Sequence, residues 1–191
     1  MATQDSRIKL KRSTVAGVIP TVPVSNDHTD GTWLSTDIYK SELFYNQADS
    51  VLWTRNDSGI DCIQGMAKVV IPTAQVLTLN SAPVQLVAAP GAGYAIEVLS
   101  ASVKVDFNTT AYATNVLLNI KNSGATYPTN KLNCLDSTVS MIKQISFTST
   151  SSTTNTQTIE NAALNLEVET GDPTAGDSDI TIYVTYRIIK L

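Results

Sequence analysis

The sequence predicts an all-β protein, with an irregular N-terminal segment of strands and a hairpin followed by a jelly-roll-like antiparallel β-sandwich. Charged residues make up only 16% of the 191-residue chain, against roughly 25% in an average soluble domain. Thr, Ser and Asn fill the polar positions, and their short side chains favour strand faces and turns over helices. Short apolar runs separated by Gly, Pro and Asn are typical of sandwiches and barrels.

The N-terminal segment, residues 1–66, is predicted to be turn-rich with a few short strands. Residues 7–12 alternate charged and apolar side chains, which is the period of a half-buried strand. Residues 41–46 and 50–55 are predicted to form two strands joined by a short hairpin loop at 47–49. The segment is too short and too poor in apolar residues to close a core of its own. We therefore expect oligomerisation to complete it, in an intertwined trimer.

The C-terminal domain, residues 67–191, is predicted to be a run of strands. The last strand is the clearest, because Ile180, Ile182, Val184 and Tyr186 alternate with polar residues and would share one face. The low-complexity Ser/Thr stretch 148–158 is interpreted as a loop rather than an exposed strand, and residues 132–135 as a single helical turn. The eight predicted strands span residues 67–71, 75–79, 84–88, 95–107, 115–121, 138–148, 163–170 and 180–189.

Charge argues against a nucleic-acid partner. The formal net charge is -4, whereas affinity for nucleic acid comes from Lys and Arg that neutralise phosphates. One basic cluster, Arg7, Lys9, Lys11 and Arg12, is interpreted as a strand edge that faces solvent or a protein partner. No run approaches the roughly 18 apolar residues of a membrane span, and the first residues lack the apolar region of a secretory signal. We therefore expect a soluble protein made in the cytoplasm, with no membrane partner.

The sequence offers little for a metal site. Cys62 and Cys134 lie far apart and His28 is the single histidine, so a Cys/His zinc site within one chain is not expected. We expect two free, buried thiols, although the sequence leaves a disulfide open. His28 lies in turn-forming sequence and is interpreted as a solvated turn residue, while a three-fold metal site on a trimer axis stays open.

The aspartates near the C-terminus and the glycines of residues 90–93 were considered as binding sites. Asp172, Asp177 and Asp179 lack the ligand spacing of a calcium loop, and a turn capped by Asp side chains explains them more simply. Residues 90–93 lack the Lys and Ser/Thr of a phosphate loop. Neither a nucleophile motif nor a pair of carboxylates stands out. The sequence thus predicts no metal site, no cofactor and no enzymatic activity.

Two N-terminal stretches resemble phage structural proteins. Residues 7–14 (RIKLKRST), with Pro20, are similar to the opening "I-x-L-K-R-[SG]-[ST]…P" of phage fibre and tail-associated proteins. Residues 42–54 (ELFYNQADSVLWT) are similar to the "G-E-L-[AG]-[YF]-N-x-A-D-G-x-L-[YW]" repeat of the same families. Order and spacing match over roughly the first 65 residues. The sequence departs from the pattern at Ser41, where glycine is usual, and at Ser50 in the hairpin.

The C-terminal stretches 87–98 (VAAPGAGYAIEV) and 171–180 (GDPTAGDSDI) look like the β-domain of head-fibre and tail proteins of crAss-like and podovirus-type phages. The resemblance implies a homotrimeric head fibre or capsid decoration protein of the virion. Residues 1–66 would dock on the major capsid protein or a tail protein, with Arg7, Lys9, Lys11 and Arg12 near an acidic surface of the particle. The β-domain would project outward.

Two alternatives stay open. The first is a tail-fibre or baseplate receptor-binding protein, whose outer β-domain would recognise a glycan on the host surface. The second is a polysaccharide-degrading tailspike, which would need a carboxylate pair across a chain interface. Chain length weighs against the tailspike, because such spikes usually carry a much longer β-helix. Trp33 and Trp53 could stack on sugars, but we expect both to pack within the thin N-terminal segment.

Overall fold

The computed structural model describes residues 10–25, 27, 29–123, 130–145 and 159–191. The described residues are nearly all strand and loop, with one short helix, so the all-β prediction is confirmed. The chain divides into two compact units, Met1–Gly65 (unit 1) and Met66–Leu191 (unit 2). No helix in the described part of the chain is long and apolar enough to cross a membrane.

Unit 1 is built around a hairpin. Strands β2 (Leu43–Asn46) and β3 (Val51–Arg55) pair antiparallel, as predicted. A short strand, β1 (Lys11–Ser13), pairs with β2 in parallel. It covers the end of the predicted 7–12 strand, whose first three residues lie outside the described part. Strand β4 (Ile60–Ile71) pairs with β3 and continues past the unit boundary, so it begins seven residues before the predicted strand 67–71.

Unit 2 is a sandwich of two four-stranded sheets. One sheet has the order β4-β11-β6-β9 and the other β5-β10-β7-β8. Lettered B to I along the chain, these strands give B-I-D-G and C-H-E-F, the strand order of a jelly roll. The new strands are β5 (Val84–Val87), β6 (Tyr94–Asp106), β7 (Leu117–Asn122), β8 (Asn130–Asn133), β9 (Met141–Ile145), β10 (Leu164–Val168) and β11 (Asp179–Lys190).

The core of unit 2 lies between the inner faces of the two sheets. Ile180, Ile182, Val184 and Tyr186 on β11 are all buried, which confirms the predicted apolar face of the last strand. Leu164, Leu166 and Val168 are the buried residues of β10 on the other sheet. Burial of one such aliphatic side chain contributes roughly 1.5–3 kcal/mol, so these strands dominate the stability of the unit.

Two local predictions are wrong. Residues 75–79 were predicted as a strand, but a short helix, α1 (Thr73–Val76), and a following turn occupy this region. Val76 and Leu79 are both fully buried, and their spacing of three places them on one side of a helical turn. Residues 132–135 were predicted as a helical turn, whereas strand β8 ends at Asn133 and pairs with β7.

Other predicted strands shift at their ends. The strand predicted at 115–121 begins at Leu117, because Thr114 and Asn115 have φ of 47°, a left-handed conformation that interrupts a strand. The strand predicted at 138–148 is observed over Met141–Ile145. The rest of that prediction from residue 146 onward, and the loop predicted at 148–158, lie outside the described residues.

Candidate functional site

The two N-terminal stretches that carry the phage resemblance form a single substructure. Strand β1 comes from the first stretch and β2 from the second, and they pair in register from Lys11 opposite Phe44 to Ser13 opposite Asn46. The backbone N–H of Gln47 then donates to the carbonyl of Ser13, 2.8 Å away. Because parallel neighbours need a long connection, this pairing brings together residues about 33 positions apart.

The side chain of Asn46 holds this substructure together through hydrogen bonds. Its side chain is buried, and its Nδ2 lies within 3.1 Å of the carbonyl oxygens of Val15 and Val18 and 2.7 Å from Asp49 Oδ2. Its Oδ1 accepts the backbone N–H of Ala48 at 3.0 Å. A buried amide with this many partners is costly to replace, because its partners would be left unsatisfied. The "N-x-A-D" part of the motif is therefore structural.

The two positions at which serine replaces the usual glycine of the motif have left-handed backbone. Ser41 has φ of 64° and Ser50 has φ of 55°. Glycine adopts such angles without the steric penalty that a Cβ brings, which gives a physical reason for the glycine of the pattern at these two sites. Serine is tolerated at these two positions at a cost in conformational energy.

Unit 1 exposes more large apolar side chains than it buries. Among its described residues, the buried apolar set is four side chains: Ile38, Phe44, Val51 and Trp53. The exposed set is seven: Leu10, Val15, Val22, Val24, Leu34, Tyr39 and Ile63. The described residues of unit 2 show the opposite balance, with 21 large apolar side chains buried against eight exposed. Unit 1 therefore has a small apolar core for its length.

The basic cluster is only partly within the described residues. Arg7 and Lys9 lie outside them. Lys11 is half-buried, and its Nζ donates to the carbonyl oxygen of Asp37, so this charge is used within unit 1. Arg12 is exposed on the next position of β1, where successive side chains point to opposite faces. Of the two described members, Arg12 is therefore the one available to a partner.

The aromatic residues of unit 1 differ in exposure. Trp53 is buried in the hairpin, which confirms its predicted packing role. Trp33 is half-buried, and its ring lies 4.5 Å from that of Tyr39, tilted by 36°. Tyr39 itself is exposed. An exposed aromatic pair offers a rigid apolar contact surface to a protein or a sugar ring.

The three C-terminal aspartates serve three separate loops. Asp172 Oδ1 accepts the backbone N–H groups of Asn80 and Ser81 at 2.8 and 2.9 Å. Asp179 Oδ1 accepts that of Thr73 at 2.9 Å. These bonds reach segments other than the aspartates' own turn, so the side chains join loops that are distant in sequence rather than cap the hairpin turn in which they were predicted to act. Within the described part of the chain, no three His, Cys, Asp or Glu side chains converge on a metal-binding position, and His28 lies outside that part.

Asp177 is the most heavily bonded of the three. Its Oδ1 accepts the backbone N–H groups of Thr109 and Thr110 at 3.1 and 2.8 Å, and its Oδ2 accepts from the Thr109 hydroxyl and from Asn108 Nδ2. The Thr109 hydroxyl and these backbone donors hold the pKa of the Asp177 carboxyl below its usual value. Donors that favour the charged form lower a pKa in this way.

Tyr112 completes the contact between the same two loops. It is buried, its hydroxyl donates to the carbonyl of Ser178 at 2.5 Å, and burial raises the pKa of this hydroxyl. Gly176 has φ of 85° and lies against the Tyr112 ring, where an added Cβ would overlap it. The loops 107–116 and 169–178 are thus fixed to each other, which favours a structural role for this end of the jelly roll.

Neither cysteine forms a disulfide in the structure. Cys134 is buried, and burial raises the pKa of its thiol to about 12, so it is unreactive at neutral pH. Cys62 is half-buried rather than buried as predicted. The prediction of free thiols is confirmed.

Sequence reasoning missed the imbalance of apolar exposure in unit 1. The low apolar content of this segment can be read from the sequence. Which of its apolar residues are exposed cannot, because most of them lie in irregular loops whose path the sequence does not predict.

A comparison with protein-family models, curated proteins and solved structures finds no match for the chain.

Proposed function

We propose that this chain is a non-enzymatic structural protein of a bacteriophage particle, a homotrimeric head fibre or capsid decoration protein that docks through its N-terminal unit. The observation that carries the proposal is the motif substructure of unit 1. The two stretches that resemble phage fibre proteins pair with each other, and Asn46 holds them together. Both positions where the pattern has glycine, Ser41 and Ser50, have left-handed backbone.

The apolar surface of unit 1 supports an attachment role. Val24, Leu34 and Val15 are each more than 60% exposed, and a docking partner would remove them from water. Each Å² of apolar surface buried contributes about 25 cal/mol before the costs of association. Three linked contacts in a trimer would then reinforce one another through effective concentration.

The fold of unit 2 is compatible with this role without determining it. Jelly rolls form viral capsid and lectin domains as well as cupins, and one fold hosts many functions. The fixing of its loops through Asp172, Asp177 and Asp179 would suit a rigid projecting module.

A tail-fibre or baseplate protein that recognises a host glycan is the second candidate. The observation that favours it is the exposed Tyr39 ring beside Trp33, since aromatic rings pack against sugar faces. Gold labelling of a tagged chain on purified particles separates the two: label on the head supports the first candidate and label on the tail the second. A Tyr39→Ala variant would lose adsorption to host cells only in the second case.

The docking assignment is tested by charge reversal. We expect a variant carrying Arg7→Glu, Lys9→Glu and Arg12→Glu to be lost from particles, because like charges would face the acidic surface inferred for the partner. The measurement is the amount of tagged chain that co-purifies with particles from infected cells. Lys11 is left unchanged because it bonds within unit 1.

As a matched pair of single variants, Arg12→Glu should reduce incorporation, whereas Lys190→Glu, which reverses an exposed lysine of unit 2, should leave it near the wild-type amount. Unchanged incorporation of the triple variant would show that Arg7, Lys9 and Arg12 are not part of the docking surface. Absence of the wild-type chain from particles would overturn the proposed function itself.

A further inference from the structure

We draw no further inference here: the strongest candidate, the surface of unit 1 on which Val22, Val24 and Leu34 are exposed, already belongs to the docking region proposed above, and nothing in the structure shows what covers it.

Discussion

At the scale of single residues, the two serines at left-handed positions are the clearest sources of local strain. Replacing Ser41 or Ser50 by glycine removes the Cβ that disfavours φ near 60°. We expect each change to raise the free energy of unfolding of unit 1 by roughly 0.5–1 kcal/mol. Both tryptophans of the chain lie in unit 1, so their fluorescence during urea unfolding measures this unit directly.

The control is Ser102→Gly on strand β6 of unit 2, and because both tryptophans lie in unit 1, the unfolding of this variant is followed by circular dichroism. The backbone of Ser102 is part of a regular ladder, and glycine in a strand interior destabilises by roughly 0.5–1 kcal/mol. The same substitution should therefore have opposite signs at the two kinds of site. A loss of stability at both Ser41 and Ser50 would show that their left-handed backbone is not strained.

At the scale of elements, alternation of apolar and polar residues predicted the strands well where one face of a strand is apolar and the other polar. The hairpin at 41–55 and the strand 180–189 show this pattern, and both were found near the predicted bounds. Residues 75–79 carry the same apolar density, but burial of Val76 and Leu79 at a spacing of three serves a helical turn. A short apolar run does not distinguish the two structures.

Loop-to-loop contacts were beyond prediction for a different reason. Asp177 bonds to Thr109 and Thr110, which are 68 and 67 residues away, and no local pattern encodes such a pairing. The sequence predicted that the Asp side chains cap turns, but not that they cap turns of other segments.

The loop contact of Asp177 predicts how stability depends on pH. Its folded pKa lies below the ordinary carboxyl value of 3.8, so its contribution is complete above that value and is lost as pH falls through the lower folded pKa. An Asp177→Asn variant should melt at a lower temperature than wild type at neutral pH. The difference should shrink as the pH falls below 3.8 and through the lower folded pKa, where the wild-type carboxylate also takes up a proton.

Circular dichroism melting across that pH range measures the effect. Asp136→Asn serves as the control, because Asp136 accepts a single described side-chain bond, from Asn133, and its replacement should change the melting temperature less. A difference between wild type and Asp177→Asn that grows on acidification would contradict the assigned role of the carboxylate.

At the scale of the whole molecule, the unequal cores of the two units predict unequal stability. Among the described residues, unit 1 buries four large apolar side chains, whereas unit 2 buries 21. The free energy needed to open a region locally is lower where fewer apolar side chains are buried. Hydrogen exchange of the free full-length chain should therefore be at least about tenfold faster for amides of β2 and β3 than for those of β6 and β11.

Docking of unit 1 on a particle should slow the hydrogen exchange of that unit. If unit 1 completes its core by docking, its β2 and β3 amides should become protected when the chain is bound to particles, while those of β6 and β11 change little. Burial of side chains such as Val24 and Leu34 against the partner provides the added free energy. Exchange measured by mass spectrometry on free and particle-bound chain compares the two states. Equal protection of all four strands in the free chain would mean that unit 1 needs no partner to be stable.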